Sequence, residues 1–364
     1  MHEAPAPTAA TTPPEREPAP AALVVDGTYA FGTYDGPIAT INPLDVVDGR
    51  GARGRMRRAA RNLRLKEWEA FQLGDDEWFV LGAVYDTKSI ALLQVLGVHK
   101  ASGKIHRWET KVPSTSLSVA RGLDGTRSHG RRGDFSIAVG NEMGSGRLTV
   151  DASHPGCRCC STTLPPLELH GVGDCSPDRA GHLVICHPFS DRRALYSHKV
   201  MMPFEGTMRI GLDVVGLSAQ RSFMILDDHH GDYPSPMQYD WVTGVRRNDE
   251  GLVEGFNLTD NQIRDPHVYN ENAVWRGNQV FRLPAVHMER PSGPMGTWLV
   301  SDRDGSVDVR FHPTVRSEMH VGPRRSLAEY HAPYGWYEGR IHTDDVELSV
   351  DGIFGVGEQK FIRV

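Results

Sequence analysis

Apolar and polar residues alternate in short runs along most of this 364-residue chain. Residues 307–311 read Val-Asp-Val-Arg-Phe, and such alternation is typical of a strand with one face in solvent. Turn-forming pairs such as Asp304-Gly305 and Asp351-Gly352 separate the runs at short intervals. The pattern therefore predicts an all-β fold, a sandwich or barrel of short antiparallel strands, rather than alternating strands and helices.

One segment departs from this pattern. Residues 50–66 contain eight basic side chains, and residues 55–63 within them are predicted to form a short helix. A basic helix can bind an acidic membrane surface or a phosphate group. Its apolar side is narrow, however, so we favour a helix with a solvated face.

The composition of the chain predicts its domain organisation. Residues 1–22 are rich in Ala, Pro and Thr, and we expect a disordered tail because they have little apolar area to bury. The stretch 154–178 is rich in Pro, Gly and Cys. It is predicted to separate an N-terminal β-barrel-like domain, residues 23–178, from a C-terminal one, residues 179–364, that carries the candidate site.

Charge and motifs narrow the possible partners. The formal charge of -6 gives no reason to expect nucleic acid. No apolar run approaches the roughly 18 residues needed to span a bilayer, although peripheral membrane contact stays open. The first residues lack the basic start and apolar core of a secretion signal, which favours a cytoplasmic location. The chain has no P-loop, dinucleotide-binding or zinc-protease motif, and no cofactor is predicted.

The five cysteines allow two interpretations. Three of them, Cys157, Cys159 and Cys160, crowd together, and Cys175 and Cys186 follow. Thiolates with nearby histidines are suitable zinc ligands, but structural zinc sites usually show two spaced ligand pairs, which are absent here. We therefore favour reduced thiols in a loop, with Cys186 buried in a strand.

Ionisable residues concentrate in the C-terminal half, where an apolar strand runs directly into Asp227, Asp228, His229 and His230. Strand side chains alternate faces, so Asp227 shares a face with His229, and Asp228 with His230. Whichever pair points inward would be a general acid/base couple. His331 is a further candidate, either as the partner of an aspartate or as a metal ligand. The predicted catalytic residues are Asp227, Asp228, His229, His230 and His331.

Polar and aromatic runs follow this strand. Each residue in them has an ordinary alternative role in a turn or in the core, but together they predict a polar pocket with aromatic walls. The predicted substrate-binding residues are Tyr233, Tyr239, Asp240, Trp241, Asn257, Glu271, Asn272, Tyr334 and Trp336.

These residues also carry a resemblance to a known family. The matching elements are Leu226-Asp227, Gly231, Tyr233-Pro234, Trp241, Gly255-Phe256-Asn257-Leu258, Glu271-Asn272-Ala273, Asp304-Gly305, Val309, Phe311, Pro313, His331, Gly335, Gly339 and the closing residues 352–358. They resemble an uncharacterised bacterial domain-of-unknown-function family, distantly allied to hydroxyneurosporene synthase (carotenoid 1,2-hydratase) and to lipocalin-like cyclases. The resemblance covers residues 27–364 and is best after Glu205. The chain departs from the family's pattern at residues 228–230, where an aromatic residue, Gly and Arg are expected.

The resemblance implies two lipocalin-like antiparallel β-barrels or curved half-barrels side by side, with a cavity for a hydrophobic small molecule. It also implies cofactor-free chemistry such as alkene hydration, isomerisation or cyclisation. Asp227 or Asp228 would be the acid, with His229, His230 or His331 as its partner. The walls that face a developing cation would be Tyr239, Trp241 and Trp336. Two alternatives stay open: a non-catalytic lipocalin-type binder of a lipid or isoprenoid, and a metal-dependent enzyme that uses the His and Asp cluster.

Overall fold

The computed structural model describes residues 14–47, 51–88, 91–157, 163–321 and 328–363. Within these ranges the chain is built of strands, with a single α-helix, α1 (Gly51–Arg64). The predicted all-β fold is confirmed, and α1 contains the segment that was predicted to be helical. No helix in the described part of the chain is both long and apolar enough to cross a bilayer.

The first part of the chain forms a small hairpin and a fourteen-stranded sheet. The hairpin consists of β1 (Val24–Val25) and β2 (Thr28–Tyr29). The sheet consists of β3 (Gly32–Tyr34), β4 (Lys66–Gly74), β5 (Trp78–Asp86), β6 (Ala91–His99), β7 (Lys104–Val112), β8 (Leu117–Ser118), β9 (Asp124–Arg132), β10 (Phe135–Glu142), β11 (Arg147–His154), β12 (Leu167–Asp174), β13 (Gly181–Ser190), β14 (Arg193–Ile210), β15 (Asp213–Leu217) and β16 (Phe223–Gly231).

This sheet curls into a nearly closed barrel. Its main strand order is β7-β6-β5-β4-β16-β14-β12-β11-β10-β9-β8, and the far strands β8 and β9 return to the side of β5. The long strand β14 makes the turn possible. Its residues 195–203 pair with β16, and its residues 204–210 pair with β12. Most of the barrel interior is apolar, and this part includes Phe71, Val95, Trp108 and Val139.

The second sheet has twelve strands and forms a half-barrel. Its strands are β17 (Met237–Arg247), β18 (Val253–Asn261), β19 (Ala273–Arg276), β20 (Gln279–Arg282), β21 (Val286–Glu289), β22 (Trp298–Asp302), β23 (Val307–Val315), β24 (Glu318–Val321), β25 (Ala328–His331), β26 (Tyr334–His342), β27 (Glu347–Ser349) and β28 (Phe354–Ile362). Its main order is β20-β19-β18-β17-β28-β26-β23-β22-β21. Strand β28 also pairs with β25.

The outer face of the barrel packs against the second sheet. The ring of Phe79 lies 5.7 Å from the rings of both Tyr334 and Phe354. The indole nitrogen of Trp275 donates a hydrogen bond of 2.9 Å to the carbonyl of Gly181, which joins the second sheet to β13. Aromatic residues of both sheets are therefore buried between them, because each sheet covers the other from water.

The chain passes from the first sheet to the second between Gly231, the last residue of β16, and Met237, the first residue of β17. Strands β13 to β16, placed in the C-terminal domain by the sequence, hydrogen-bond within the first sheet. The stretch 154–178, predicted to be a connection, contains β12. The boundary at 178/179 stays a prediction about folding units.

The predicted tail is only partly described. Arg16 donates a hydrogen bond of 2.8 Å to the carbonyl of His182, and Glu17 pairs with Tyr34 in an isolated bridge. Residues 14–22 therefore lie against the first sheet. Residues 1–13 lie outside the described residues, so disorder there stays a prediction.

The prediction of reduced thiols needs a correction. Cys175 and Cys186 are free and buried, as expected. Cys157 is disulfide-bonded, so its sulfur is neither a free thiol nor available as a zinc ligand. Cys159 and Cys160 lie outside the described residues.

Candidate active site

Strand β16 divides the predicted catalytic residues between two environments. All nine of its residues are buried, and its side chains alternate between the barrel interior and the space between the sheets. Asp227 and His229 face the second sheet, as alternation predicts. Asp228 and His230 point into the barrel.

A pocket lies between the two sheets beside Asp227 and His229. It is lined by Trp68, Ala70, Phe71, Gln72, Leu81, Ala83, Tyr85, Leu92, Gln94, Lys199, Asp227, His229, Tyr233, Tyr239, Trp241, Thr259, Asn261, Glu271, Met319, Tyr330, Glu358, Lys360 and Ile362. Six of these were predicted from the sequence. The prediction that the site lies in the C-terminal half is incomplete, because β4 and β5 supply a whole wall.

Asp227 lies among hydrogen-bond donors. The ammonium of Lys199 is 2.6 Å from Oδ1, and the indole nitrogen of Trp68 is 3.2 Å from Oδ2. Lys199 also lies 3.2 Å from Glu271 and 3.1 Å from the hydroxyl of Ser197. Burial disfavours the ammonium, but the two carboxylates outweigh this effect and raise the pKa of Lys199. Asp227 therefore accepts hydrogen bonds from Lys199 and Trp68 at the pocket. Its role as the acid stays a prediction.

His229 forms a second couple, with Tyr233. The imidazole stacks on Trp68 at 3.7 Å with an interplanar angle of 7°, and its Nε2 lies 2.5 Å from the Tyr233 hydroxyl. Burial, with the nearby charge of Lys199, holds the pKa of His229 well below its usual value, so the ring is a neutral base. Burial likewise raises the pKa of Tyr233 and keeps its proton in place.

A glycine permits this couple. A Cβ at Gly231 would lie 2.4 Å from the ring of Tyr233. Only glycine lets that ring fold back alongside the strand towards His229, because any other side chain would occupy the same space.

Lys360 lies within an aromatic cage at the other side of the pocket. Its ammonium is 4.6 Å from the ring centre of Tyr239, 4.8 Å from that of Tyr330 and 5.4 Å from that of Trp68. Burial lowers the pKa of Lys360, an effect that Glu358, 3.9 Å away, opposes. Glu358 also accepts hydrogen bonds from the hydroxyls of Tyr239, at 3.0 Å, and Tyr330. The cage favours a cation, because ring faces are electron-rich.

Asp228 and His230 belong to a separate polar cluster inside the barrel. His230 lies 2.9 Å from Glu67 and 3.2 Å from Asp228. Burial opposes the charge of His230, but the carboxylates raise its pKa to about 9. Burial, reinforced by Asp228, raises the pKa of Glu69 to about 8. These groups do not reach the pocket.

The remaining predicted residues have other surroundings. His331 and Asp240 lie at a different surface depression, where Asp240 pairs with Arg290 at 2.7 Å. Asn257 accepts a hydrogen bond of 2.6 Å from the indole of Trp241 and so positions a pocket wall. Asn272 bonds to the backbone at Thr259 and Pro284. Tyr334 and Trp336 pack between the sheets outside the pocket lining.

Sequence reasoning missed several pocket residues: Trp68, Tyr85, Lys199, Tyr330, Glu358 and Lys360. Lys199 carried a signal, because it is a charged residue directly before the apolar residues 200–202 and shortly after the apolar residues 194–196. Glu358 and Lys360 alternate with small or polar residues at the end of β28 and gave a weaker signal.

No metal centre is evident in the described ranges, where no three His, Cys, Asp or Glu side chains converge as ligands. His229 and His230 point to opposite faces of β16, and His331 lies elsewhere. The predicted alternative of a metal site built from these three histidines therefore has no geometric support.

The fold and pocket define a protein made of a nearly closed antiparallel barrel against a half-barrel, with ionisable and aromatic residues between them. Residues 17–363 match the family model for the domain of unknown function DUF2804, and the chain belongs to that family. The predicted membership of a family of unknown function is thus confirmed. No curated protein matches the chain.

Solved structures show weaker similarity. A candidate AttH protein from Nitrosomonas europaea is 12% identical, with 83% of this chain and 94% of that chain covered at a TM-score of 0.48. Kievitone hydratase from Nectria haematococca is 12% identical, with coverage of 82% and 88% and a TM-score of 0.48. CghA is 11% identical, with coverage of 82% and 88% and a TM-score of 0.39.

Proposed function

We propose that this protein is a cofactor-independent enzyme that acts on an apolar, unsaturated small molecule in the pocket between the sheets. The reaction class is acid/base chemistry such as hydration, isomerisation or cyclisation. One observation carries the proposal: Lys199, Asp227, His229, Glu271, Glu358 and Lys360 converge on a single aromatic pocket. A pocket that only carried a lipid or isoprenoid would not require such buried charges, which are costly to desolvate.

The His229–Tyr233 couple supplies the proton transfer in this proposal. The neutral imidazole would accept a proton from water or from the substrate, and the Tyr233 hydroxyl would donate its proton to the substrate. The proton gained by His229 would then pass to the Tyr233 oxygen, 2.5 Å from Nε2, so that both groups return to their starting state. Asp227, which Lys199 contacts at 2.6 Å and which shares a face of β16 with His229, would stabilise the positive charge that His229 gains on protonation.

The walls suit an unsaturated substrate. Trp68, Tyr239 and Trp241 present ring faces to the pocket and would stabilise positive charge that develops on carbon. The exclusion of water by the two packed sheets strengthens these electrostatic interactions.

The first test is a screen for binding and turnover. Unsaturated terpenoids, polyenes and phenolic enones are added to the purified protein, with pocket tryptophan fluorescence reporting binding and mass spectrometry reporting products. We expect a product that has gained or lost one water, or an isomer of equal mass. Stoichiometric binding without any product would contradict the enzyme proposal and favour a carrier of apolar ligands.

The second test compares two neighbouring aspartates. Asp227→Asn should lower kcat by about 10²–10⁴ while leaving binding largely intact, because the amide cannot stabilise a protonated His229. Asp228→Asn, one residue along β16 on the opposite face, is the matched control and should keep kcat within about threefold. Equal losses in both variants, at equal folded fractions by circular dichroism, would show that the pocket face is not the catalytic one.

A further inference from the structure

Helix α1 is amphipathic, but it turns its apolar side outwards. Met56, Ala60 and Leu63 follow one another at helical spacing along one face. Met56 is 72% exposed and Leu63 is 67% exposed. A helix of a globular protein normally buries such a face, so this one is available to a partner.

Arginines outside the apolar stripe hold the helix in place. Arg61 is buried and donates a hydrogen bond of 3.1 Å to the carbonyl of Val46. Arg64 makes two hydrogen bonds of 3.0 Å to the carboxylate of Asp232. Arg58 pairs with Asp45 at 2.8 Å. The outward orientation of Met56 and Leu63 is therefore built into the fold.

Arginines border the exposed apolar stripe. At 100° per residue, Arg53 and Arg57 lie along one edge of the stripe and Arg55 along the other. The helix has six arginines and no acidic residue, although the whole chain has a formal charge of -6. Arg58 and Arg64 are paired with Asp45 and Asp232, but the exposed Arg53 and Arg55 present positive charge that complements an anionic surface.

Two further exposed apolar side chains belong to the segments beside α1, where Arg61 bonds to the carbonyl of Val46. Val47 is 62% exposed and Val25 is 49% exposed. The backbone amide of Val47 donates a hydrogen bond to the carbonyl of Gly27, two residues after Val25. Of the nine large apolar side chains that are exposed in the described part of the chain, four lie in this region. We call the surface formed by Val25, Val47 and α1 the α1 surface.

We propose that the α1 surface docks on the anionic surface of a lipid membrane, with Met56 and Leu63 entering the boundary between headgroups and acyl chains. Apolar area on one side and arginines at its edges are the two features that bind a helix in the plane of such an interface. This contact does not depend on the reaction in the pocket. Arg64 of the helix bonds to Asp232, and the next residue, Tyr233, lines the pocket. Docking would therefore bring the pocket close to the membrane, which is a source of apolar molecules.

Co-sedimentation of the full chain with vesicles tests the proposal. The vesicles are phosphatidylcholine alone or phosphatidylcholine with phosphatidylserine. We expect binding to the anionic vesicles that weakens with added salt. The double substitution Met56→Glu with Leu63→Glu should reduce this binding by about tenfold or more. Arg53→Gln and Arg55→Gln should each reduce it by about fivefold, and only on anionic vesicles.

The double substitution Leu212→Glu with Val214→Glu is the matched control. Leu212 is 99% exposed at the turn between β14 and β15, and Val214 is 61% exposed, so the pair tests the same change in charge and a similar change in hydropathy elsewhere. Its binding should equal that of the wild type. Absence of binding by the wild type, or equal binding by the Met56/Leu63 variant, would overturn the proposal. Sedimentation velocity without lipid measures the oligomeric state, and so tests whether a second copy of the chain covers the α1 surface instead. A dimer that the double substitution at Met56 and Leu63 abolishes, without vesicle binding, would also overturn it.

Discussion

Two adjacent aspartates on β16 experience opposite electrostatics. Asp227 receives hydrogen bonds from Lys199 and Trp68 at the pocket. Asp228 lies inside the barrel near His230, and burial raises its pKa. The difference arises because a strand reverses the direction of its side chains at every residue. One step along β16 thus separates the pocket from a cluster whose protons are linked to folding.

The barrel cluster should make stability depend on pH. The pKa of His230 rises from 6.5 to about 9 on folding, and that of Glu69 rises from 4.5 to about 8. The folded protein therefore binds protons more tightly than the unfolded chain as the pH rises through these values. The stabilisation that the two groups contribute is complete below their unfolded pKa values and is lost as pH passes their folded ones.

We expect the free energy of unfolding to fall by at least about 1 kcal/mol between the unfolded and folded pKa values of His230. Urea titrations across that range measure it. Glu69→Gln should flatten the fall, because an amide has no proton to lose, whereas Glu168→Gln at an exposed site on β12 should leave it unchanged. The opposite pKa shift of Glu67, to about 2, does not contribute there, because Glu67 is ionised in both states. An unchanged slope in Glu69→Gln would rule the explanation out.

At the scale of elements, the alternation of apolar and polar residues predicted some strands but not all of them. Strand β23 alternates as its sequence indicates. Strand β14 is buried over most of its length, so its sequence shows no alternation. Strand β12 was overlooked because Gly171 and Gly173 occupy core positions where apolar side chains are expected.

The glycines of β12 have a packing reason that can be tested. A Cβ at Gly171 would lie 2.3 Å from the ring of Phe204 and 2.6 Å from the carbonyl oxygen of Glu205. Gly171→Ala should therefore lower the free energy of unfolding by about 1–3 kcal/mol through overpacking. Gly216→Ala on β15, where a Cβ would have no neighbour within 4 Å, is the control and should change it little. Equal stabilities of the two variants in denaturant titrations would contradict this account.

Across the whole molecule, the pocket is formed only when the sheets meet. The ammonium of Lys360 lies 5.4 Å from the ring centre of Trp68. Trp68 belongs to β4, near the start of the first sheet, and Lys360 belongs to β28, the last strand of the second. The sequence predicted Asp227 and His229 together because they share a face of one strand, and Tyr233 because it follows that strand closely. It could not identify their partners on β4 and β28, because strand alternation determines faces but not which distant faces pack together.

The contact between the sheets should make unfolding cooperative. Phe354 is 1% exposed and packs on Phe79 of the barrel. Phe354→Ala should lower the free energy of unfolding by about 3–5 kcal/mol, with one transition that far-UV circular dichroism and tryptophan fluorescence report together. Leu299→Ala on β22, at a site 39% exposed, should have a much smaller effect. Two separated transitions would show that the sheets unfold independently.

Strand β14 also limits how the chain can change in length during evolution. It holds Lys199 in the pocket with its first half and closes the barrel with its second, and both halves are paired to neighbours. Loss or gain of one residue between the halves would turn every side chain beyond it to the opposite face. We therefore expect insertions and deletions among homologues at turns such as Gly211-Leu212. We expect the length of β14 to stay constant in homologues that have the same pocket.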